Sequence, residues 1–345
     1  MIQPRPLDGV ASRLDRLRRL APRPVITPTW LRRTSQAARA TERTRPLFDE
    51  EFLARLRHLV LLSRRTVNSG LAGERRSHRR GASPEFTDFK RYTPGDDYRR
   101  IDWKSYARFD QLFIRESETT TEFDVHILVD VSRSMDWRSN DALPTKLDYA
   151  LRVAGAFGYL SLWHFDRTTV TPFGATLAPA FGPVQGRANI VPLLRFLEGI
   201  HVEETTDVAA ALRLYVRPRR RTGVLVILSD LLAGDPADLL PDLRHARGRG
   251  WQVTLVQVSD PAEVDPIFLG GGDAVIELID QESKVRQRVR PTARVHTEYR
   301  SARAAWQEAI AEVCTASSVA HVAASTDEPI ETVLMRRLGE LGVVG

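Results

Sequence analysis

The 345-residue chain has one cysteine, Cys314, and only four lysines: Lys90, Lys104, Lys146 and Lys284. A single thiol cannot close an internal bridge, so the fold does not rest on an oxidising compartment. No uncharged apolar run reaches the roughly 18 residues that a membrane helix needs. The nearest candidate, residues 150–165, is interrupted by Arg152 and reads as a buried amphipathic helix. The basic N-terminus has no apolar stretch behind it, so no signal peptide is expected. These absences lead to the expectation of a soluble, cytoplasmic protein without a membrane span. What is present is ordinary for a chain with a real core: 42% of residues are hydrophobic. Wholly disordered, collagenous and disulfide-stapled classes are excluded.

Charge is unevenly spread. Residues 1–46 hold eleven Arg against three acids, and the first 120 residues carry +11 while residues 121–345 carry −5. A basic front and a mildly acidic back imply separate roles. Residues 1–46 also hold six prolines and no sustained periodicity, so they read as a flexible basic arm, with a short helix at 11–20. From Phe48, apolar residues recur at helical spacing for about fifteen residues. Residues 68–110 are rich in Gly, Arg, Asp and aromatics and read as an irregular ordered module. The resulting division is an arm over 1–46, a helix-plus-motif module over 47–120 and an α/β domain over 121–345.

Beyond residue 112, strands and helices alternate. The near-continuous apolar runs FDVHILVDV (123–131), GVLVILS (223–229) and WQVTLVQV (251–258) read as strands buried on both faces, with VAHVAAS (319–325) as the last. Helices are expected over about 145–163, 187–199, 207–217 and 237–247, and on both sides of the last strand. Residues 168–173 and 175–181 look like an edge hairpin, and 274–290 like a hairpin insertion with a turn at Gly270–Gly272 before it. This alternation predicts an α/β fold with a doubly wound, mostly parallel sheet.

In such a sheet, functional groups gather at the carboxyl ends of the strands. The first strand ends in Asp130, followed by Ser132 and Ser134 at alternate positions. The second ends in Ser229-Asp230, and Thr206 precedes a helix between them. These are hard oxygen donors, which suit Mg²⁺ or Mn²⁺. The alternative is purely local: Asp130 and Ser132 form a turn and Thr206 caps its helix.

The set Asp130, Ser132, Ser134, Thr206 and Asp230 resembles the metal-ion-dependent adhesion site of von Willebrand factor A domains. That resemblance implies a divalent metal with an open coordination position, which a partner's carboxylate fills. It is a binding device that needs no nucleophile.

Upstream, Gly73 to Gly81, Glu85-Phe86, residues 91–103 (RYTPGDDYRRIDW) and Ala107-Arg108 closely resemble domain-of-unknown-function family 58. This resemblance covers about residues 65–345. It implies a bacterial accessory protein paired with a MoxR-type AAA+ ATPase and acting on client proteins. The chain departs from many members in lacking membrane spans before the motif. The motif mixes Arg91, Arg99 and Arg108 with Asp96, Asp97 and Asp102 and with Tyr92 and Trp103. Such mixtures form ion-pair and stacking networks, serving either to hold the module together or to dock a partner.

Other signals are weaker. His126 and His201 have no neighbour at metal-ligand spacing, and no nucleophile–base pairing suggests acyl transfer. The Arg clusters at 16–19, 75–80 and 217–221 lack the interleaved aromatics of a base-stacking surface. The expectation is therefore a non-enzymatic, Mg²⁺-dependent protein-interaction module and ATPase adaptor. Two alternatives stay open: nucleic-acid binding through the Arg-rich front, and a metal-dependent phosphohydrolase, although Ser132 stands where that chemistry wants a second aspartate.

Overall fold

The computed structural model describes residues 27–28, 46–67, 86–93, 101–109, 111–117, 123–266, 275–282 and 285–334. The chain forms two compact units, Gly70–Phe123 and the remainder. The expected helix at 11–20 and the turn at Gly270–Gly272 lie outside the described residues.

In the larger unit a two-residue strand, β1 (Thr27–Pro28), is followed by α1 (Glu50–Val67). The smaller unit contains β2 (Phe86–Arg91), α2 (Trp103–Phe109) and β3 (Phe113–Ser117), with β2 and β3 antiparallel. The larger unit resumes with β4 (Asp124–Asp130), α3 (Lys146–Trp163), β5 (Arg167–Phe173), β6 (Phe181–Val184), α4 (Ile190–Glu198), α5 (Val208–Val216), β7 (Val224–Ser229) and α6 (Pro236–Gly248). It continues through β8 (Gln252–Ser259), α7 (Pro261–Val264), β9 (Ile276–Ile279), β10 (Arg286–Val289), α8 (Ala293–Ser317), β11 (Ala320–Ser325) and α9 (Ile330–Thr332).

Six of these strands form one sheet in the order β11-β8-β7-β4-β5-β6, parallel throughout except for β6. The apolar runs explain why it is central. Period-two alternation sends Ile127, Val129, Val226 and Leu228 to one core, and Leu128, Leu225, Ile227 and Leu255 to the other. Helices α3 and α4 cover the first face, and α5, α6 and α8 the second. The mostly parallel α/β sheet predicted from the alternation is thus present.

Two details differ from the pattern reading. The partner of β5 at the sheet edge is Phe181–Val184, not 175–181; in the earlier stretch Leu177 makes only an isolated bridge to Phe173. The sequence division puts the helix beginning near Phe48 with the motif segment, yet its apolar face lies in the larger unit's core. Phe48, Phe52 and Leu56 are buried beside α3. The approach is close enough that a Cβ on Gly155 would lie 2.5 Å from the Phe48 ring, so any side chain there would have to displace that ring. A separate small sheet joins β1, β9 and β10, all antiparallel, and contains the hairpin expected at 274–290.

Candidate metal-binding edge of the sheet

The chain runs from β4 outward through β5 and β6, then returns to build β7, β8 and β11 on the other side. The direction of winding therefore reverses between β4 and β7, where neighbouring carboxyl ends open a crevice. Asp130 and Asp230 stand at that point, both buried.

Local hydrogen bonds define each position. Val129 pairs with Leu228, so Asp130 falls beside Ser229, whose hydroxyl donates to Asp130 Oδ2 at 2.6 Å. Asp130 Oδ1 accepts from the Ser132 N–H at 3.0 Å, which curls the chain back over the strand end. The Ser132 and Ser134 hydroxyls then lie 3.0 Å apart, both buried. The turn is secured from below, with the Leu147 N–H donating to the Met135 carbonyl at 2.7 Å. Beyond β7, the Leu232 N–H donates to Asp230 Oδ1 at 3.1 Å across Leu231, which has a positive φ of 54°.

Thr206 arrives on the loop before α5. That loop is tied to the end of β4 by the Glu203 N–H, which donates to the Val131 carbonyl at 2.7 Å, and by an Arg133–Glu204 ion pair. Thr206 does not cap α5. Asp207 does, with extended backbone and a carboxylate accepting from the Ala210 N–H at 2.8 Å. The Thr206 hydroxyl oxygen is instead buried without a hydrogen-bond partner. A buried hydroxyl without a partner is costly and needs an explanation.

The sequence reading missed Lys146. Its side chain is fully buried, and its ammonium donates to Asp230 Oδ2 at 2.8 Å and to Glu263 Oε1 at 2.6 Å. Burial alone pushes the ammonium pKa down, but the two carboxylates more than offset this and hold it above its ordinary value. Burial pushes Glu263 up, opposed by Lys146. Among the described residues no cation pairs with Asp130: burial first, then the Asp230 charge, push it up to about 7. One further partly buried carboxylate, Glu282, lies in the β9–β10 turn. Burial raises its pKa.

Asp260, at the end of β8, is spent locally. It caps α7 and accepts from the Ser139 N–H at 2.9 Å. Among the described residues no group of three or more His, Cys, Asp or Glu is arranged to hold a metal. The donors here are two aspartates and three hydroxyls, an oxygen-only set of the kind hard divalent cations accept. The unpartnered Thr206 oxygen and the raised Asp130 are what a cation in that position would relieve, so the residues fit Mg²⁺ or Mn²⁺.

In the smaller unit, Arg91 ends β2 opposite Phe113, and the Tyr92 N–H donates to the Leu112 carbonyl at 2.8 Å. Asp102 is buried and accepts from the Ser105 hydroxyl at 3.1 Å. Trp103 is 63% exposed, edge-on to Tyr106, and Arg108 is exposed at the end of α2. Asp96, Asp97 and Arg99 lie outside the described residues. No helix among the described residues is long and apolar enough to cross a membrane.

Strand order defines an α/β protein with a mostly parallel six-stranded sheet flanked by helices, its candidate site lying at the switch point. The chain belongs to the family described as Protein of unknown function DUF58, which matches residues 88–312. It is 30% identical to the uncharacterized proteins Mb1516 of Mycobacterium bovis and Rv1480 of Mycobacterium tuberculosis over 240 residues, 69% of this chain and 73% of theirs. Among solved structures it is similar to the conserved hypothetical protein BatB from Bacteroides thetaiotaomicron, at 14% identity over 64% of this chain and 99% of that one, with a TM-score of 0.40. It is also similar to the PilB minor pilin from Streptococcus sanguinis, at 11% identity over 67% and 63%, with a TM-score of 0.32. Likenesses at these scores carry no argument about this chain.

Proposed function

We propose that this protein is a non-enzymatic, metal-dependent interaction module that captures a partner's carboxylate at the sheet edge. The observation that carries the reading is the buried, unpartnered Thr206 hydroxyl oxygen at an edge that also holds Asp130, Ser132, Ser134 and Asp230. This arrangement resembles the adhesion site of von Willebrand factor A domains. Bound Mg²⁺ or Mn²⁺ would supply a positive centre with room for an outside oxygen ligand. The chain's part is to hold its donors in place. Ser229 and the Ser132 N–H fix the Asp130 carboxylate, and the Leu232 N–H and Lys146 fix that of Asp230. The best-supported partner, from the family-58 resemblance, is a MoxR-type AAA+ ATPase, with this chain as the adaptor to its clients.

Co-purification with such an ATPase tests the reading. The complex should form in Mg²⁺, dissociate in EDTA and fail with Asp130→Ala. A complex indifferent to both EDTA and the substitution would overturn it.

A further inference from the structure

Helix α8 is fixed at several points along its length. Thr292 caps it, accepting from the Val295 N–H at 3.2 Å. Two turns in, the Tyr299 hydroxyl donates to the Glu263 carbonyl at 2.7 Å, and near the far end Arg244 Nε donates to the Ala316 carbonyl at 3.4 Å. Its inward face carries Ile310, Val313 and Cys314 into the second core. Helical spacing continued toward the N-terminus puts Trp306 and then Arg303 on that same face. Arg303 is the residue out of keeping there. Only 9% of it is exposed, yet it carries a charge that it cannot shed by deprotonation.

A buried charge is normally paired, and Arg303 makes no such pair among the described residues. Its Nε is buried without a hydrogen-bond partner, and so is the indole Nε1 of Trp306, three residues on. The acids around α8 are engaged elsewhere. Asp265 faces His296 at 2.7 Å and Arg300 at 3.9 Å, Glu298 pairs with Arg294 at 2.8 Å, and Glu263 pairs with Lys146 at 2.6 Å. Glu312 also has a buried oxygen without a partner, but nine residues of helix set it about 13 Å along the axis and on the opposite side. Side chains three apart on a helix are neighbours, so the two unused N–H groups belong to one patch of the inward face. Both are donors only, and one is charged. We propose that Arg303 and Trp306 form a binding site for a small carboxylic acid, held as its carboxylate. A guanidinium presents its N–H groups in the planar fork that two carboxylate oxygens match, and the Trp306 N–H adds a third donor. One carboxylate neutralises one guanidinium, whereas a phosphate near −2 would leave negative charge in excess. So little of Arg303 is exposed that the site suits a small acid and not the side chain of a folded partner. The proposal stands apart from the metal-dependent reading above, since it uses none of those donors and no cation.

Thermal melts of the intact protein in EDTA, with sodium acetate replacing sodium chloride at constant sodium, test this. The melting temperature should rise with acetate in the unsubstituted protein and equally in Asp130→Ala, because a ligand of the folded state alone stabilises it. Arg303→Met keeps an unbranched, buriable side chain without the charge. It should fold at least as stably in chloride and lose the acetate response. Trp306→Phe should keep a response with acetate affinity about tenfold weaker, the usual worth of one hydrogen bond to a charged group. Phosphate, or a capped glutamate peptide at equal carboxylate concentration, should give no comparable rise. An undiminished acetate response in Arg303→Met would place the anion elsewhere and overturn the proposal. So would a response lost in Asp130→Ala, phosphate or peptide matching acetate, or no response in the unsubstituted protein. If Arg303→Met does not fold, Trp306→Phe decides: equal acetate affinity with and without the indole N–H overturns the site.

Discussion

Lys146 and Asp130 sit at one sheet edge under opposite electrostatic conditions, and substitution separates them. Lys146 is a paired charge away from water. Lys146→Met removes the cation and leaves Asp230 and Glu263 buried and uncompensated, a defect that costs about 3–5 kcal/mol. Urea unfolding should show that loss with or without metal. A loss below about 1 kcal/mol, the level of an exposed pair, would mean that the ammonium is not buried between them.

Asp130 makes a prediction about pH. Its folded pKa of about 7 lies above the ordinary 3.8, so in the metal-free protein the folded state holds a proton that the unfolded chain releases between those values. Stability from this group is therefore greatest at low pH and is lost as pH rises toward 7. His126 has the opposite sign. Burial, then the charges of Arg219 and Arg167, lower it from 6.5 to about 4, so its contribution is lost as pH falls through that window. Because the windows overlap, the raw profile is ambiguous. The stability difference between the unsubstituted protein and Asp130→Asn, measured in EDTA, isolates the first effect. It should fall as pH rises from about 4 to about 7 and then level off; a flat difference would place Asp130 at its ordinary value.

These residues also show what a linear reading can reach. Asp130, Ser132, Ser134 and Asp230 were legible because a carboxylate at the end of an apolar run marks a strand end facing a crevice. Lys146 was not, because its partners lie 84 and 117 positions away and no acid stands three or four positions from it; Asp148, two along in α3, does not face it. The available signal was rarity: one of four lysines stands at the start of a helix whose next seventeen residues are largely buried.

Among elements, α1 departs furthest from its place in the sequence. Its periodicity made the helix legible, but periodicity reports an apolar face and not the surface that face will meet. The answer lay in α3, where Gly155 leaves room for the Phe48 ring. Phe52→Ala should therefore destabilise the larger unit by about 3 kcal/mol, as expected for emptying a buried aromatic site. Equilibrium unfolding followed by tryptophan fluorescence would detect it, and a change under about 0.5 kcal/mol would mean that α1 only rests on the surface. The shifted edge strand has a similar cause. Residues 175–181 have strand-like composition, but composition does not fix which stretch meets β5, and the ladder forms at Phe181–Val184.

For the whole molecule, the two compact units should respond separately to metal. Ligand binding to the folded state alone stabilises it by about 2.7 kcal/mol at a hundredfold excess over Kd. Mg²⁺ should raise the melting temperature of the unsubstituted protein by an amount that grows with concentration. Asp130→Ala should cancel the increase without abolishing folding. Asp102→Ala, in the smaller unit, should lower stability whether or not Mg²⁺ is present, because the Ser105 hydroxyl loses a buried partner. A thermal scan of the three proteins with and without Mg²⁺ reads all of this. If Asp130→Ala unfolds the protein, the aspartate is architectural and the adhesion-site reading loses its main support.

The pairing of Lys146 with Asp230 and Glu263 also bears on how the chain is made. A ribosome delivers β4 and α3 long before residue 263, so an emerging chain holds a lysine destined for burial with neither counter-charge yet synthesised. Domains tend to fold as units during synthesis, but this one cannot close its central crevice until β7, β8 and α7 have left the exit tunnel. A polypeptide released early, through a stop codon anywhere before Asp230, would carry an unmatched ammonium at its centre and remain open. The edge that we propose binds partners thus also marks, by its charge balance alone, whether translation has run far enough to make a finished protein.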